Sequence, residues 1–205
     1  MANQHAMHTV ARKIFAALAL AAIGQQLMLH IDASYSVLNF FSYFTNLSNL
    51  FAIFVLLLSA YSRSSKNSAL RDAARYISTV NMAIVGLVFS VLLRNVDLGA
   101  LLPWVNVILH YVMPVTIVLD WLLQPPTAKL RVKYLTIALV FPAAYLVYVL
   151  VRGASIGWYP YPFLNPENVG GYTGVAIYSV GIAATFLLAA WALLTIGNAR
   201  VKNVG

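Results

Sequence analysis

The sequence predicts an all-α polytopic membrane protein, a bundle of six transmembrane helices with both termini in the cytoplasm. Of its 205 residues, 61% are hydrophobic and only 9% are charged, whereas soluble domains carry about 25% charged residues. A spanning helix needs about 20 mostly apolar residues, and such stretches fill nearly the whole chain. They leave no room for a separate soluble domain. A β-barrel would show polar residues at every second position, which these stretches lack.

The spans are predicted, in order, at 10–29, 36–60, 70–93, 101–123, 131–151 and 171–196, within a single transmembrane domain of residues 1–205. The first span also resembles a signal peptide, because Arg12 and Lys13 precede an Ala-rich apolar core. Its apolar run continues to Leu29, which makes it longer than a usual signal core. We therefore interpret it as a retained span.

Lys and Arg residues set the expected orientation of the bundle. Only Arg94 and Arg152 fall on one side of the predicted spans, together with the acids Asp32, Asp97 and Glu167. By the positive-inside rule this is the outer side, and the opposite side, with both termini, is cytoplasmic. The basic residues on the cytoplasmic side are Arg12, Lys13, Arg63, Lys66, Arg71, Arg75, Lys129, Arg131, Lys133, Arg200 and Lys202.

The composition excludes several classes of chemistry. The chain has no Cys, which removes disulfides, thiolate nucleophiles and thiolate metal sites. Its four His residues show no metal-ligand or haem-ligand spacing, so no metal and no cofactor are predicted. The net charge of +8 does not indicate a nucleic-acid partner, because the basic residues are spread over several loops.

The last outer connection, residues 153–170, differs from the other loops in its aromatic and Pro content. It contains Trp158-Tyr159-Pro160-Tyr161-Pro162-Phe163-Leu164-Asn165-Pro166. Pro excludes regular helix, and Trp and Tyr favour the membrane interface. The commoner use of such residues is an aromatic anchor at that interface. The alternative is a partial cover over a site that opens outward or into the outer leaflet.

Polar residues at membrane depth are the candidates for function, because they are costly in lipid and face the bundle interior. The second predicted span carries four of them at spacing i, i+3, i+4 and i+7, which is one stripe of a helix. We expect this stripe to be buried against other helices. Its members are Ser42, Thr45, Asn46 and Asn49.

The fourth predicted span carries the one His within a hydrophobic run, His110. Asn106 lies one turn before it on the same face. Pro114 lies one turn after it, has no N–H to donate, and clashes with the carbonyl of His110. This arrangement frees an acceptor, bends the helix and favours a pocket at that turn.

Thr45 and His110 are expected at similar depth. Each lies nine residues after the predicted outer end of its span, which is about 13 Å at the rise of an α-helix. A Thr hydroxyl and an imidazole at one level can pair as the nucleophile and base of a hydrolase. Interhelical hydrogen bonding without catalysis is the alternative, and the residues alone favour it. No third member of a triad is evident.

Four further polar residues lie within the predicted spans. Gln25, Gln26 and Asn81 are candidates for lining the interior. Asp120 lies near the cytoplasmic end of the fourth span, beside Trp121 and a basic loop. A snorkelling or paired carboxylate is the expected role of Asp120.

Three motifs in combination resemble a known family. They are Tyr43-Phe44-Thr45-Asn46-Leu47-Ser48-Asn49, His110 followed by Pro114, and Tyr159-Pro160-Tyr161-Pro162-Phe163-Leu164. In these motifs, their order and the number of spans, the chain resembles a bacterial member of the androgen-induced and androgen-dependent TFPI-regulating membrane proteins. The resemblance covers most of the chain and depends on the combination, because each motif is short.

The animal members of that family are six-span threonine hydrolases of fatty acid esters of hydroxy fatty acids. The resemblance implies Thr45 as nucleophile and His110 as general base, acting on a lipid or fatty acid ester in a bacterial cytoplasmic (inner) membrane. Asn46 or Asn49 is then a candidate oxyanion donor. The candidate substrate contacts are Asn46, Asn49, Ser42, Asn81 and Asn106.

Two functions other than hydrolysis remain open from the sequence. A non-catalytic binder or transporter of a small or lipidic molecule would use the polar stripe to line a cavity, although no inverted repeat is visible. A structural or interaction subunit would use the same residues for packing alone.

Overall fold

The computed structural model describes residues 2–61, 68–96 and 101–201. These residues form helices joined by turns and loops and contain no β-strand, so the predicted all-α class is confirmed. Six helical stretches are long and apolar enough to cross a membrane, from Ala6–Asp32 to Tyr172–Ala199 along the chain. The predicted six-span architecture is therefore confirmed for the described residues.

The helices are, in chain order, α1 (Ala2–Asp32), α2 (Val37–Phe41), α3 (Phe44–Tyr61), α4 (Ser68–Val88), α5 (Pro103–Val107), α6 (Met113–Leu123), α7 (Lys133–Ile156) and α8 (Tyr172–Ala199). Two π-helical segments interrupt this pattern. One, Phe89–Leu93, continues α4. The other, Ile108–Val112, joins α5 to α6 within the fourth span. Such segments occur frequently at functional sites.

Helix α1 packs against α3 through small side chains. Ala16, Ala19 and Ala22 recur every three residues and are buried, and small residues let membrane helices approach closely. Helix α4 contacts α3, α6, α7 and α8, so it lies at the centre of the bundle. Large apolar side chains such as Val147 on α7 and Leu188 on α8 stay exposed, which is typical of a surface in contact with lipid.

The hydrophobic pattern predicts that the second span begins at Ser36. In the structure, the helix of this span begins at Phe44. The helical structure is interrupted after α2, at Ser42 and Tyr43. The hydroxyl of Tyr145, on α7, donates to the Ser42 carbonyl at 2.8 Å and accepts from the Phe44 N–H at 3.2 Å. One phenol thus satisfies two backbone groups that a continuous helix would have paired internally, and this tertiary contact permits the break.

The fourth span is irregular directly before Pro114. The Met113 N–H donates to the Ile108 carbonyl, five residues back, one residue further than in an α-helix. Gly86 on α4 faces this irregular turn. A Cβ at Gly86 would lie 3.0 Å from the Pro114 Cβ and 3.8 Å from the His110 carbonyl oxygen. The glycine therefore allows close approach of α4 to the turn that carries His110.

A largely buried ionic network joins α1, α4 and α6 near the C-terminal end of α3. Asp120 accepts from Nε and Nη2 of Arg12 at 2.7 and 3.1 Å, and from Nη2 of Arg75 at 3.0 Å. Arg12 also donates to the Ser59 carbonyl at 3.4 Å. Asp120 is therefore a paired carboxylate, one of the two roles expected from the sequence.

Several helices are longer than predicted. Helix α7 continues to Ile156 and stops at Gly157, which has a φ of 70°. This left-handed conformation costs glycine little and is a common way to end a helix. Helices α1 and α8 also continue past their predicted ends.

The side of the bundle that faces the cytoplasm stays a prediction. The orientation argument rests on loop charges, some of which lie outside the described residues. These are Arg63, Lys66, Asp97 and Lys202.

Candidate functional site

Thr45 is the second residue of α3, at a helix N-terminus whose backbone is bound by tyrosines. The first four N–H groups of an α-helix have no partner within the helix. The Phe44 N–H donates to the Tyr145 hydroxyl at 3.2 Å, and the Thr45 N–H donates to the Tyr161 hydroxyl at 3.3 Å. The next two N–H groups, those of Asn46 and Leu47, both donate to the Tyr43 carbonyl. The positive end of the α3 dipole thus lies at Thr45, where it favours negative charge.

Asn46 and Asn49 follow Thr45 on the buried face of α3 but differ in their bonding. The Asn49 side-chain amide donates to the Thr45 carbonyl at 2.9 Å and to the Leu109 carbonyl at 3.2 Å, so both of its hydrogens are bound. It therefore ties α3 to the π-helical segment of the fourth span. Asn46 donates to the Phe40 carbonyl at 2.8 Å. Its second amide hydrogen has no partner among the described residues.

His110 is 6% exposed, and its hydrogen bond shows which ring nitrogen is basic. Its Nδ1 lies 3.2 Å from the Asn106 carbonyl oxygen. Because a carbonyl only accepts, Nδ1 carries the hydrogen and Nε2 of the neutral ring carries the lone pair. The ring stacks on Phe89 with centroids 4.0 Å apart, so the two π-helical segments meet at this pair. His110 is thereby held in an orientation suited to a general base.

A cavity of about 250 Å³, here termed the polar cavity, lies beside both Thr45 and His110. Most of its lining residues carry an amide, imidazole, hydroxyl or phenol group, although apolar atoms form the larger part of the lining surface. In the described part of the chain, no hydrogen bond joins the Thr45 hydroxyl to the His110 ring. The lining residues are Gln26, His30, Tyr35, Asn39, Phe40, Tyr43, Thr45, Asn46, Leu101, Leu109, His110, Trp158 and Tyr161.

A larger cavity of about 580 Å³, here termed the apolar groove, also reaches Thr45. Its walls come from α3, α4, α7, α8 and the outer loop, and nearly all of the lining is apolar. Ala143 on α7 and Val180 and Leu187 on α8 line the groove and are exposed on the outside of the bundle. The groove therefore opens between α7 and α8 toward the bilayer. Thr45 and Tyr161 line both cavities.

The outer loop between α7 and α8 folds inward over Thr45. Tyr161, Phe163 and Leu164 are buried, and the rings of Tyr161 and Phe163 stack with centroids 5.2 Å apart. Burial raises the pKa of the Tyr161 phenol, although hydrogen bonds from the side chain and N–H of Thr45 act in the opposite direction. The phenol is therefore protonated at neutral pH. These contacts favour a cover over the site rather than an outward anchor.

Trp158 holds the start of this loop against the rest of the site. Its ring packs edge-on against Tyr43 with centroids 5.7 Å apart. The Arg152 guanidinium lies over the same ring at 5.1 Å, a cation–π contact. Arg152 also donates to the side-chain oxygen of Asn39 at 2.6 Å. These contacts connect the loop, α7 and α2 around the polar cavity.

The structure brings only some of the predicted site residues together. Thr45, His110 and Asn46 line the polar cavity. The interior position expected for Gln25 is wrong, because this residue is exposed, whereas Gln26 lines the polar cavity. The predicted site residues that line neither cavity are Ser42, Asn49, Asn81 and Asn106.

These four residues lie away from both cavities, and the described residues offer no partner to the buried side-chain oxygens of Asn49, Asn81 and Asn106. Ser42 is buried, donates to the Leu38 carbonyl at 2.7 Å and pairs with the Tyr148 hydroxyl at 2.8 Å. Asn81 is buried within α4. The backbone carbonyl of Asn106, and not its side chain, orients His110.

Sequence reasoning missed the tyrosines that bind the start of α3. Tyr145 lies in a hydrophobic run with no pattern to distinguish it from a lipid-facing residue. Tyr161 belongs to the aromatic loop motif, and its alternation with Pro was the one available signal. Among the described residues, no group of three His, Asp or Glu could hold a metal. A hydroxyl, an imidazole, an amide and phenols form the site.

A comparison with protein families covers nearly the whole chain. The family model described as FAR-17a/AIG1-like protein matches residues 4–194. Both Thr45 and His110 lie within the matched region, as do all the residues that line the two cavities. No curated protein and no solved structure was found to match the chain.

Proposed function

The chain belongs to the FAR-17a/AIG1-like family, and we propose that it is an intramembrane lipid-ester hydrolase with Thr45 as nucleophile and His110 as general base. One observation carries the proposal. Thr45 lies where an apolar groove open to lipid meets a polar cavity that contains His110. A lipid ester has matching parts, because an apolar chain lies on one side of its carbonyl and the polar ester oxygen lies on the other.

The reaction needs four proton transfers at His110, two in acylation and two in deacylation. Nε2 of His110 takes the Thr45 hydroxyl proton while the Thr45 oxygen bonds to the ester carbonyl carbon. The bond from that carbon to the alcohol oxygen then breaks, and the alcohol leaves with the proton from His110. Water, deprotonated in turn by His110, attacks the acyl-Thr45 ester and releases the acid. As the bond from the acyl carbon to the Thr45 oxygen breaks, His110 returns the proton taken from water to that oxygen, which restores the Thr45 hydroxyl.

The start of α3 stabilises the charge that develops on the carbonyl oxygen. Negative charge near Thr45 interacts favourably with the positive end of the helix dipole. Asn46 lines the polar cavity and has one amide hydrogen without a partner among the described residues. It is therefore the better oxyanion donor of the two candidates, because both amide hydrogens of Asn49 already bind carbonyls.

Covalent labelling with a fluorophosphonate probe tests the proposal. Wild-type protein and Thr45→Ser should be labelled, whereas Thr45→Ala and His110→Ala should lose labelling. Thr185→Ala is the matched control, because this Thr lies on α8, lines neither cavity and binds only the Gly181 carbonyl. Equal labelling of all variants would contradict the proposal and favour a non-catalytic lipid binder.

A further inference from the structure

The apolar groove reaches the proposed nucleophile, and its exposed edge lies on one side of the bundle. Building on the proposed hydrolase function, we infer that the groove is the binding site for the acyl chain of the substrate. The chain enters from the bilayer between α7 and α8, and the groove limits the length of acyl chain that the enzyme cleaves.

The exposure of the groove lining shows where a chain can enter. The lining residues from α3 and the outer loop are buried, as are those from α4 and its π-helical continuation except the half-buried Val88. Phe163 and Leu164, from the outer loop, close the groove on the loop side. In the part of the chain that the structure describes, every exposed residue of the lining belongs to α7 or α8. These residues are Ala143, Val180, Ala183, Ala184 and Leu187.

Thr45 lies near the middle of α7 and α8, which favours entry of the chain from lipid. The ring of the adjacent Phe44 packs against Tyr145 and Phe186, with centroids 5.1 and 5.8 Å away. Tyr145 is the thirteenth of the 24 residues in α7, and Phe186 is the fifteenth of the 28 in α8. Each therefore lies at least about 16 Å along its helix from either end. Because the hydrocarbon core of a bilayer is about 30 Å thick, lipid chains are the neighbours of α7 and α8 at this depth.

The groove has the size and the chemistry of a site for a lipid chain. Its volume of about 580 Å³ lies within the range of about 300–1,000 Å³ that is usual for ligand pockets. Nearly all of its lining is apolar. A methylene chain can therefore pass from lipid into the groove without losing hydrogen bonds, whereas a polar group would lose them. Because the groove reaches Thr45, it also differs from a surface furrow that lipid tails merely fill.

Proton transfer decides which part of the ester occupies the groove. When the acyl–oxygen bond breaks, the alcohol oxygen receives the proton that His110 took from Thr45. His110 lines the polar cavity and is absent from the lining of the apolar groove. The alcohol oxygen therefore lies toward the polar cavity, and the chain on the carbonyl carbon lies in the groove. This assignment concerns the acyl chain alone and leaves the alcohol free to be the hydroxy fatty acid that the family resemblance implies.

Photocrosslinking tests occupancy of the groove without requiring hydrolysis. The probe is a palmitate ester of hydroxystearic acid with a diazirine in the middle of the palmitoyl chain. It is added to the full-length wild-type and Thr45→Ala proteins in lipid nanodiscs, because Thr45→Ala should leave the ester intact. We expect crosslinks at groove residues such as Val85 and Leu146, and their loss when unlabelled ester is in excess. Crosslinks at Val147 and Leu188, which are exposed and do not line the groove, report surrounding lipid and should persist.

The length of the acyl chain tests the limit that the groove sets. Ala143→Phe places a ring in the groove, so it should lower kcat/KM for the palmitate ester about tenfold relative to the decanoate ester of the same hydroxystearic acid. Ala144→Phe is the matched control: it adds the same ring to the next residue of α7, which is exposed and does not line the groove. This control should keep the wild-type ratio. A shorter hydroxy acid, at constant palmitate, should leave the effect of Ala143→Phe unchanged.

Three outcomes would overturn the inference while the hydrolase function stands. In the first, unlabelled ester does not compete for the groove crosslinks. In the second, Ala143→Phe and Ala144→Phe give the same ratio of palmitate to decanoate cleavage. Either result would show that the groove holds only surrounding bilayer lipid. In the third, the effect of Ala143→Phe follows the length of the hydroxy acid, which would place the alcohol in the groove.

Failure of the proposed function would look different. Wild-type protein would then cleave no ester faster than Thr45→Ala and would take no fluorophosphonate label. Groove crosslinks that unlabelled ester removes would still show that the groove binds a lipid chain. The crosslinks need no substitution in the groove, so they decide the inference even if Ala143→Phe does not fold.

Discussion

Thr45 is held by one group that lies far from it in the sequence and by another, four residues away, that also reaches the fourth span. Its N–H binds the phenol of Tyr161, and its carbonyl binds the amide of Asn49. The same amide reaches the Leu109 carbonyl, next to His110. The backbone of Thr45 is thus fixed by Tyr161 at its N–H and by Asn49 at its carbonyl. Because Asn49 also binds the fourth span, the Thr45 side chain is held in a fixed position relative to that span.

Tyr161 should affect catalysis through the position of Thr45. In Tyr161→Phe, the Thr45 N–H loses its partner, which costs about 1–3 kcal/mol when the group is buried. We expect a lower midpoint of thermal unfolding and about a tenfold loss of ester hydrolysis. Tyr178→Phe is the control, since that hydroxyl makes no hydrogen bond within the described residues, and it should change neither quantity. A Tyr161→Phe protein with wild-type stability and rate would contradict this role.

The sequence could predict the candidate pair but not the interactions that place it. The polar stripe and the lone intramembrane His are visible because polar residues stand out against an apolar background. Tyr145 and Tyr161 do not stand out, because tyrosine is common at membrane interfaces. Their role depends on α7 and the outer loop coming against the start of α3, which is a tertiary arrangement. The equal-depth argument also used the wrong start for the second span, although both residues do line one cavity.

At the scale of elements, the two π-helical segments meet around His110. Phe89 begins one of them and His110 lies in the other, and their rings stack. Pro114 removes one backbone donor at the end of the second segment. Proline therefore gave a correct sequence signal for an irregular turn in the fourth span. Nothing in the hydrophobic pattern of the third span indicates its own π-helical segment, because that pattern stays apolar throughout.

Close packing at Gly86 should be necessary for this meeting of segments. In Gly86→Ala, the new Cβ would lie 3.0 Å from the Pro114 Cβ, so the contact must open by a few tenths of an ångström. Because the proline ring is fixed to its backbone, we expect a cost of about 1–3 kcal/mol. Gly181→Ala, in α8, has no neighbour within 4 Å and should be neutral or stabilising by up to about 1 kcal/mol. Thermal unfolding in detergent compares the two variants. Equal stability would show that the contact at Gly86 does not constrain α4.

The ionic network should matter for stability more than for hydrolysis. Asp120→Asn leaves the guanidinium groups of Arg12 and Arg75 without their shared carboxylate, a loss of about 3–5 kcal/mol for a buried pair. Ser59, which Arg12 contacts, lies about 21 Å along α3 from Thr45. We therefore expect a lower unfolding midpoint and retained hydrolysis at low temperature. Asp32→Asn, at an exposed acid, is the control.

A different outcome for Asp120→Asn would contradict a purely stabilising role of the ionic network. If hydrolysis falls at low temperature while the unfolding midpoint is unchanged, the network acts on the site and not on the stability of the bundle. A similar loss of stability in Asp32→Asn would show that the effect is general to acidic residues.

For the whole molecule, the apolar composition is the strongest sequence signal, and it predicts the number of spans. It cannot predict which helices leave a gap. The apolar groove lies among α3, α4, α7, α8 and the outer loop, and nearly all the residues that line it from α7 and α8 are apolar like the rest of those helices. Lipid-facing and groove-lining residues have a similar composition in such a protein. Only the three-dimensional arrangement separates them.

The predicted orientation places the outer loop and the mouth of the site on the extracytoplasmic side. Because the chain has no Cys, single cysteines can be introduced without background labelling. In intact cells, a membrane-impermeant maleimide should label Asn168→Cys, at an exposed position of the outer loop. It should label Lys129→Cys, in the loop between α6 and α7, only after the membrane is permeabilised. The reverse labelling pattern would show that the bundle has the opposite orientation in the membrane.

The identity of the nucleophile is the central claim, and locating the covalent adduct tests it most directly. Wild-type protein would be reacted with a fluorophosphonate, digested and mapped by mass spectrometry. We predict a single adduct on the hydroxyl of Thr45, absent from the His110→Ala protein. An adduct on Tyr161 or on another residue, or no adduct on a folded protein, would contradict the assignment of Thr45 as the nucleophile.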